Sequence, residues 1–375
     1  MKYYVIAGEA SGDLHGSNLL KALKIKDAEA EFRAWGGDLM EAAGGDLRKH
    51  YRDLAFMGFL EVVKNLRTIL RNIEFCKQDV LDYQPDALIL IDYPGFNLRI
   101  AKWAKLQGLK VIYYISPQLW AWHASRVHDI KKSVDKMLVI LPFEEMFYQK
   151  YNYKVDFVGH PLLDVIEYYK PSVDFLQKNN LSDKPIIALL PGSRKQEISR
   201  MLEIMLSVVS DFTDYQFVIA GAPSQPKEFY DAILTKADAK NVSLVQNQTY
   251  NLLSYAQAAL VTSGTATLET ALFNVPEVVC YKGSAISYAI AKRLVGKRIK
   301  FIALVNLIVD RLLVKELIQN DLNTQNLQQE LSAILNPEKA KEIKTGYAEL
   351  RQRLGNIGAS ERAANTIISF LKSIA

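Results

Sequence analysis

The stretch Ala-Ala-Leu-Val-Thr-Ser-Gly-Thr-Ala-Thr-Leu-Glu, residues 258–269, predicts a strand that runs directly into a helix. Its apolar first part suits a buried strand, and the small residues Ser263, Gly264 and Thr265 suit a turn at a helix start. Because such a turn leaves backbone N–H groups uncovered, we interpret it as an anion-binding site, with an ordinary helix start as the alternative. Glu269, one helical turn later, could accept hydrogen bonds from two ribose hydroxyls.

The same strand-to-helix unit recurs along the whole chain. Strands are predicted at 3–7, 87–91, 110–115, 137–141, 186–190, 216–220, 242–245, 258–262 and 276–280. Their alternation with helix-length segments is typical of parallel sheets with crossover helices, and the polar, proline-containing residues 168–185 have the composition of a linker. The sequence therefore predicts an α/β fold of two Rossmann-like domains, 1–168 and 185–345, facing a cleft, with helices in 346–375 packing back toward the first domain.

The composition of the chain excludes several classes of function. The 375 residues are 49% hydrophobic and 23% charged, which suits two globular domains, and a net charge of +5 gives no reason to expect nucleic-acid binding. Cys76 and Cys280 form no CxxC pair and no histidine cluster accompanies them, so we expect a reducing compartment and no metal site. Without a signal peptide or a run of about 18 apolar residues, the sequence predicts a cytoplasmic protein that does not span a membrane.

The loop after the first strand is Gly8-Glu9-Ala10-Ser11-Gly12-Asp13. Its glycines permit close approach of the backbone, and a helix expected to begin near Asp13 offers N–H groups to an anionic or hydroxyl-rich ligand. We therefore count Ser11 among the candidate binding residues, with a plain helix cap as the alternative. Because the loop is not GxGxxG, a dinucleotide cofactor is not expected.

An acidic residue follows the strand 87–91, in Ile-Asp-Tyr-Pro-Gly-Phe-Asn, residues 91–97. At the carboxyl end of a parallel strand Asp92 faces the ligand side of the sheet, where its carboxylate can accept a proton from an attacking sugar hydroxyl. Capping of the next helix is the alternative.

The tryptophan-rich segment 116–122 is either a wall for sugar stacking or core packing. Packing or capping is the interpretation for three histidines, His123, His128 and His160.

A second candidate turn is Leu-Pro-Gly-Ser-Arg, residues 190–194, at the end of the strand 186–190. Gly192 and Ser193 let backbone N–H groups approach a diphosphate, and Arg194 can neutralise the charge that develops on a departing one. An exposed arginine in an ordinary turn is the alternative. We predict that Arg194 is catalytic and that Gly192 and Ser193 bind substrate.

Taken together, these motifs resemble those of the lipid-A-disaccharide synthase family over essentially the whole chain. The matching segments are GEASGD (8–13), MGFLEV (57–62), IDYPGFN (91–97), SPQLWAW (116–122), LPFE (141–144), VGHPL (158–162), LPGSR (190–194), SGTATLE (263–269), AKRLV (291–295) and LVKEL (313–317). The resemblance implies a glycosyltransferase B fold without metal or cofactor. It places the family's base on Asp92, its diphosphate-contacting arginine on Arg194 and a functionally important asparagine on Asn306.

The reaction implied by the resemblance is transfer of 2,3-diacylglucosamine from its UDP conjugate to 2,3-diacylglucosamine 1-phosphate, with inversion, giving the β(1→6) lipid A disaccharide and UDP. The chain departs from the family pattern at Gly95, where an acidic residue often stands, and at Val305, where proline is usual. His15 lies where related cell-wall transferases carry a candidate base and is treated as secondary. Three alternatives are a cell-wall N-acetylglucosamine transferase, for which the GGTxGH loop is absent, a UDP-sugar epimerase and a non-catalytic binding protein.

Residues 59–73 predict an amphipathic helix. Seven apolar residues lie at helical spacing, beside three basic ones: Phe59, Val62, Val63, Leu66, Ile69, Leu70 and Ile73, with Lys64, Arg67 and Arg71. A helix docked on the core is the alternative, but the diacylated substrates implied by the resemblance favour a helix lying on the inner face of the inner membrane. A second basic patch that could attract lipid head groups comprises Lys292, Arg293, Lys297, Arg298 and Lys300. The sequence leaves the oligomeric state open.

Overall fold

The computed structural model describes residues 1–54, 66–122, 124–239, 241–283 and 300–374, without the side chains of Leu66 and Trp122. The chain forms two compact units. Unit 1 comprises Met1–Asp164 and Leu354–Ala375, and unit 2 is Val165–Arg353. Each contains a parallel sheet with helices between its strands, which confirms the prediction of two Rossmann-like α/β domains.

The sheet of unit 1 has seven parallel strands in the order β3-β2-β1-β4-β5-β6-β7. Their bounds are β1 Lys2–Ala7, β2 Glu31–Gly36, β3 Gly45–His50, β4 Ala87–Ile91, β5 Val111–Tyr114, β6 Lys136–Val139 and β7 Asp156–Phe157. The five residues of β4, Ala-Leu-Ile-Leu-Ile, are all buried. A continuous apolar run of this kind is what a central parallel strand needs, because helices cover both faces of the sheet.

Helices of unit 1 follow these strands. They are α1 Ala10–Lys26, α2 Asp38–Ala42, α3 Leu66–Tyr83, α4 Pro94–Leu106, α5 Leu119–Trp122, α6 Val127–Ser133, α7 Pro142–Gln149 and, from the distant segment, α17 Ala359–Ile374; α8, Leu162–Glu167, crosses into unit 2. Helix α17 packs against α1, and Lys26 pairs with Glu361 at 3.0 Å. The fully buried Ile367 is part of its apolar face.

The sheet of unit 2 has six parallel strands in the order β10-β9-β8-β11-β12-β13. Its strands are β8 Ile186–Leu190, β9 Gln216–Gly221, β10 Val242–Gln246, β11 Ala256–Thr262, β12 Glu277–Tyr281 and β13 Glu316–Ile318. The helices are α9 Phe175–Lys178, α10 Lys195–Leu206, α11 Lys227–Lys236, α12 Thr249–Tyr255, α13 Thr265–Leu272, α14 Leu304–Val309, α15 Thr324–Leu335 and α16 Pro337–Arg353. An apolar core under β8 and β11 includes the fully buried Phe175.

The boundaries between the units follow packing rather than composition. The chain leaves unit 1 after Asp164, and the polar segment 168–185 lies within unit 2 because Phe175 enters its core. Helix α16 runs through residue 346, with Tyr347 and Leu350 buried, so the chain returns to unit 1 only at Leu354. Glycines at positive φ, Gly355 at +88° and Gly358 at +93°, form that second crossing.

The membrane prediction for residues 59–73 needs a correction in its described part. Residues 59–65 and the side chain of Leu66 lie outside the described residues, as do four of the five residues of the second basic patch and all of 57–62 and 291–295. In α3 the side chains of Ile69 and Ile73 pack against the core of unit 1, whereas Leu70 is 50% exposed. Among the described residues, no helix combines the length and apolar composition required to cross a bilayer.

Candidate functional site

Three loops of unit 1 begin side by side at the carboxyl edge of its sheet. The last residues of β1 and β4 are register partners, Ala7 with Ile91, and Ile91 is in turn the partner of Tyr114 on β5. Parallel pairing therefore brings together the loops that start at Gly8, Asp92 and Ile115. This edge is where ligands of open α/β sheets bind.

The first loop passes into α1 at Ala10, three residues earlier than Asp13, where the sequence predicted the helix to begin. Asp13 is buried, and its carboxylate accepts hydrogen bonds from the backbone N–H groups of Gly37 at 2.8 Å and Met40 at 3.0 Å. Asp13 thus fixes the loop after β2, while Ser11 stays exposed in the first turn of α1. A side chain at Gly8 would place Cβ 2.3 Å from the Tyr93 ring, so glycine permits the contact between two loops.

Asp92 lies directly after β4, half-buried and in the left-handed region at φ +44°. The residue that caps α4 is Tyr93, also left-handed at φ +48°, so the alternative in which Asp92 caps that helix does not apply. Burial, reinforced by the negative charge of Glu9, raises the pKa of Asp92 to about 6. A carboxylate poised near neutral pH suits general-base chemistry.

A second carboxyl group lies near this edge and was not singled out from the sequence. Glu144 is buried at the start of α7, where it accepts hydrogen bonds from the backbone N–H groups of Ile140 at 3.2 Å and Leu141 at 2.9 Å. Burial raises its pKa to about 8, so Glu144 is mostly protonated at pH 7. The segment Leu-Pro-Phe-Glu contained the clue, since proline at the first helical position and glutamate two residues later form a capping pattern.

The aromatic segment and the histidines take mainly packing roles. Trp120 packs edge-on against Phe143 with ring centroids 5.0 Å apart, which supports core packing over an open sugar-stacking wall. Burial lowers the pKa of His15 to about 4 and that of His160 to about 3, so both rings are neutral at pH 7. His128 packs edge-on against Tyr151, and His123 lies outside the described residues.

In unit 2, the turns after β8 and β11 are neighbours because Leu190 pairs in register with Val261. Gly192 has φ +107°, and a Cβ there would lie 2.3 Å from the Glu197 carboxylate, so only glycine suits this turn. The Glu197 carboxylate accepts a hydrogen bond from the Thr262 hydroxyl at 3.3 Å, which links the two turns.

The candidate residues of the first turn lie at its surface. Arg194 is exposed and extended, and α10 begins at the next residue, so its side chain and the N-terminal N–H groups of α10 share one end of the helix. The Ser193 carbonyl accepts a hydrogen bond from the Ser224 hydroxyl at 2.9 Å. This turn therefore offers positive charge and N–H donors, the combination that recognises phosphate.

The second turn leads into α13. Gly264, at φ +149°, and Thr265 are exposed, whereas the Ser263 hydroxyl donates to the Ile302 carbonyl at 3.1 Å. Glu269 is already engaged on one oxygen, which accepts a hydrogen bond from the Tyr250 hydroxyl at 2.7 Å. Tyr250, which sequence reasoning missed, thus orients the carboxylate that we predicted to bind ribose.

Asn306 is fully buried, and its side chain is occupied by protein partners. The amide nitrogen donates to the Val314 carbonyl at 2.8 Å and to the Glu316 carboxylate at 2.9 Å, and the amide oxygen accepts from the N–H groups of Leu313 and Val314. Glu316 also accepts from the backbone N–H of Ala303 at 2.9 Å. The contacts of Asn306 are therefore structural ones. Its partner Glu316, in the LVKEL segment, was not identified from the sequence.

No group of three or more histidine, cysteine, aspartate or glutamate side chains in the described part of the chain is arranged to hold a metal ion. Cys76 and Cys280 are free and buried.

The family model described as lipid-A-disaccharide synthetase matches residues 3–368. Among curated proteins, the lipid-A-disaccharide synthase of Syntrophus aciditrophicus is 41% identical over 374 residues, covering 98% of this chain and 97% of that protein. The enzyme of the same name from Geobacter sulfurreducens is 35% identical, covering 98% of this chain and 96% of its own length.

Solved structures show the same fold at low sequence identity. An S. aureus MnaA structure with UDP superimposes with a TM-score of 0.72 at 15% identity, covering 99% of this chain and 97% of that chain. A UDP-GlcNAc 2-epimerase from Neisseria meningitidis, bound to UDP-GlcNAc, has a TM-score of 0.63 at 14% identity, with 100% of both chains covered.

Proposed function

This chain belongs to the lipid-A-disaccharide synthetase family, and from that premise we propose that it transfers 2,3-diacylglucosamine from its UDP conjugate to 2,3-diacylglucosamine 1-phosphate. Membership makes it a glycosyltransferase of lipid A biosynthesis. The proposed product is the β(1→6) disaccharide, formed with inversion at the anomeric carbon and with release of UDP. The observation that carries the mechanism is the half-buried Asp92 carboxylate at the carboxyl edge of β4, with its pKa raised to about 6.

In the proposed step, Asp92 accepts the proton of the acceptor's 6-hydroxyl. The hydroxyl oxygen forms a bond to the anomeric carbon of the donor as the bond from that carbon to the UDP oxygen breaks. A single displacement of this kind inverts the anomeric centre. At pH 7 most Asp92 side chains would be deprotonated, because pH 7 lies above a pKa of about 6, so the base is available when acceptor binds.

The UDP portion is proposed to bind at the two turns of unit 2. Arg194 and the N-termini of α10 and α13 supply positive charge and N–H donors for the diphosphate, and Glu269 accepts from a ribose hydroxyl. UDP and UDP-GlcNAc in the solved structures of the same fold support a nucleotide-sugar donor. Because Arg194 supplies charge that a divalent cation supplies elsewhere, the proposed reaction needs no metal or other cofactor.

Both proposed substrates carry acyl chains, which supports a peripheral position at the inner face of the inner membrane. On α3 the exposed Leu70 is flanked by Arg67 and Arg71, which are also exposed. An apolar side chain between basic ones suits the boundary between acyl chains and anionic head groups.

A UDP-sugar epimerase is the second candidate, because the solved structures of this fold include UDP-GlcNAc 2-epimerases. The assay that separates the two follows UDP release from the diacylated UDP donor, with and without the diacylglucosamine phosphate acceptor. Acceptor-dependent UDP release supports the transferase. An epimerised donor formed without acceptor would support the second candidate and overturn the first.

Asp92→Asn tests the proposed base. The change keeps the size of the side chain and removes its basicity, so kcat should fall by about 10²–10⁴, the usual contribution of general-base catalysis. UDP affinity should stay at the wild-type level, since the UDP contacts proposed above lie in unit 2. The melting temperature should not fall, because the change removes a buried charge. Turnover within a few-fold of wild type would contradict the assignment.

A further inference from the structure

Two consecutive residues without glycine's freedom adopt the left-handed backbone conformation at the end of β4. Asp92 has φ +44° and Tyr93 has φ +48°. Residues with a Cβ rarely occupy this region, and two in succession persist only where surrounding contacts hold them.

The carbonyl oxygen of Asp92 accepts hydrogen bonds from two buried side chains. The Tyr113 hydroxyl, on the adjacent strand β5, donates at 2.6 Å, and the Asn97 side-chain amide, in the first turns of α4, donates at 2.8 Å. The same Asn97 nitrogen also lies 3.2 Å from the Ile91 carbonyl oxygen. Both donor side chains are fully buried, so water does not replace them as hydrogen-bond donors to the Asp92 carbonyl.

The preceding peptide and the following ring are held as well. The Asp92 N–H donates to the Tyr114 carbonyl at 3.1 Å, which continues the pairing of β4 with β5. The Tyr93 ring stacks on Phe96 at 5.7 Å and approaches Gly8. The turn is therefore fixed on both sides of Asp92, and the direction in which the Asp92 carboxylate leaves the backbone is fixed with it.

We propose that Tyr113 and Asn97 are positioning residues for the transfer reaction, because their shared hold on the Asp92 carbonyl keeps the proposed base in its left-handed conformation. This inference rests on the proposed role of Asp92. Neither side chain needs to touch substrate. Loss of one donor lets the turn relax, and a misplaced base reacts more slowly even when the fold survives.

The test removes one oxygen atom. Tyr113→Phe deletes the donor and keeps the ring in the core, and Tyr114→Phe is the matched control, since Tyr114 is the next residue on β5, equally buried, with its hydroxyl near Ser360 instead. For Tyr113→Phe we expect kcat to fall by about tenfold with little change in donor KM. The acid limb of the pH–rate profile should move from near pH 6 toward the ordinary carboxyl range, because a relaxed Asp92 gains solvent. Tyr114→Phe should change neither.

Asp92→Asn, assayed beside them, separates the inference from the proposed function. If Asp92→Asn remains active, Asp92 is not the base, and the positioning inference is refuted as well. If Asp92→Asn is inactive while Tyr113→Phe keeps the wild-type kcat and acid limb, only the positioning inference is overturned. A Tyr113→Phe variant that melts at a lower temperature yet turns over normally when folded has the same meaning, since it shows a purely structural role. Asn97→Ala, measured at a temperature where it is folded, should repeat the loss of kcat.

Discussion

Arg194 differs from the other charged side chains of the candidate site because its side chain has no bonded partner in the part of the chain that the structure describes. The residue is exposed. Its removal should therefore leave folding unchanged. The expected cost falls on the transition state, in which charge accumulates on the departing diphosphate.

Arg194→Ala should reduce transition-state stabilisation by about 2–4 kcal/mol, by analogy with other preorganised electrostatic groups. The measurement is kcat/KM for the UDP donor, together with the melting temperature. Arg200→Ala is a suitable control, since Arg200 is an exposed arginine on α10, the helix that follows Arg194. Equal losses in both variants would show a general effect of positive charge and count against a specific diphosphate contact.

For single residues, the sequence indicated where in the fold a side chain lies better than it indicated what that side chain contacts. Asp92, Gly192 and Thr265 follow strands, and that placement could be deduced from the alternation of apolar runs and small residues. The side chain of Asp13 is equally polar, yet it accepts a hydrogen bond from the backbone of Gly37 in a distant segment. Such contacts depend on which segments the tertiary fold brings together, and a single sequence does not contain that information.

In α3, the two apolar side chains of Leu70 and Ile73 have different surroundings. Leu70 is 50% exposed and Ile73 is 6% exposed. If Leu70 enters the membrane surface, burial of the exposed half of its side chain contributes about 1 kcal/mol. Leu70→Ser should then weaken sedimentation with anionic liposomes by roughly fivefold and change the melting temperature little.

Ile73→Ser provides the contrast. It places a hydroxyl in the core and opens a cavity, which should cost several kcal/mol of stability, on the order of 2–5. Unchanged liposome binding by Leu70→Ser would remove α3 from the proposed membrane contact.

The N-terminus of α7 should give the protein a measurable pH dependence of stability. The pKa of Glu144 is raised from an ordinary 4.5 to about 8 in the folded chain, so the folded state retains a proton that the unfolded state has released. The stabilising effect is complete below about pH 4.5 and is lost as the pH rises toward 8.

Glu144→Gln keeps an oxygen that can accept from the N–H groups of Ile140 and Leu141 but does not titrate. Its free energy of unfolding, measured by chemical denaturation across this range, should fall less with pH than that of wild type. The exposed neighbour Glu145→Gln should keep the wild-type slope. Parallel slopes for wild type and Glu144→Gln would contradict the prediction.

Strands were predictable mainly where an unbroken apolar run marks them in the sequence. The strands β4 and β8 are fully buried. A strand that is covered on both faces appears in the sequence as a short continuous run of apolar residues. The sequence missed β2, Glu-Phe-Arg-Ala-Trp-Gly, because charged residues interrupt its apolar run. It missed β3, Gly-Asp-Leu-Arg-Lys-His, because that strand lies at the sheet edge and exposes polar side chains. It also missed β7 and β13, which have two and three residues and leave too short a pattern.

In the whole molecule, unit 1 draws on two separated parts of the chain. Ile367 of α17 is fully buried in it, so Ile367→Ala should lower the stability of unit 1 by about 2–5 kcal/mol through lost burial and a residual cavity. Chemical denaturation followed by tryptophan fluorescence measures this, since the chain's tryptophans include the buried Trp35 of unit 1. Asn365→Ala, at an exposed position on the same helix, should change stability by no more than about 0.5 kcal/mol. Equal effects would show that α17 is not part of the unit 1 core.

The two-domain organisation could be deduced from two series of strands, and the C-terminal helices were predicted to pack back toward the first domain, but the residue at which the chain returns could not be located. An amphipathic helix such as α17 shows which of its faces is buried and does not show which sheet it covers. The end of α16 is equally ambiguous, since its helical pattern continues past residue 346 until the glycines near 355.

The discontinuity of unit 1 has a consequence for synthesis on the ribosome. Unit 2 is a single uninterrupted stretch, Val165–Arg353, and all of its strands have left the exit tunnel before α17 is translated. Unit 1 emerges first yet lacks the helix that covers α1 until residues 354–375 follow. During that interval the part of α1 that α17 later covers stays exposed, so the nascent protein is expected to depend on chaperones from the emergence of unit 1 to the completion of α17.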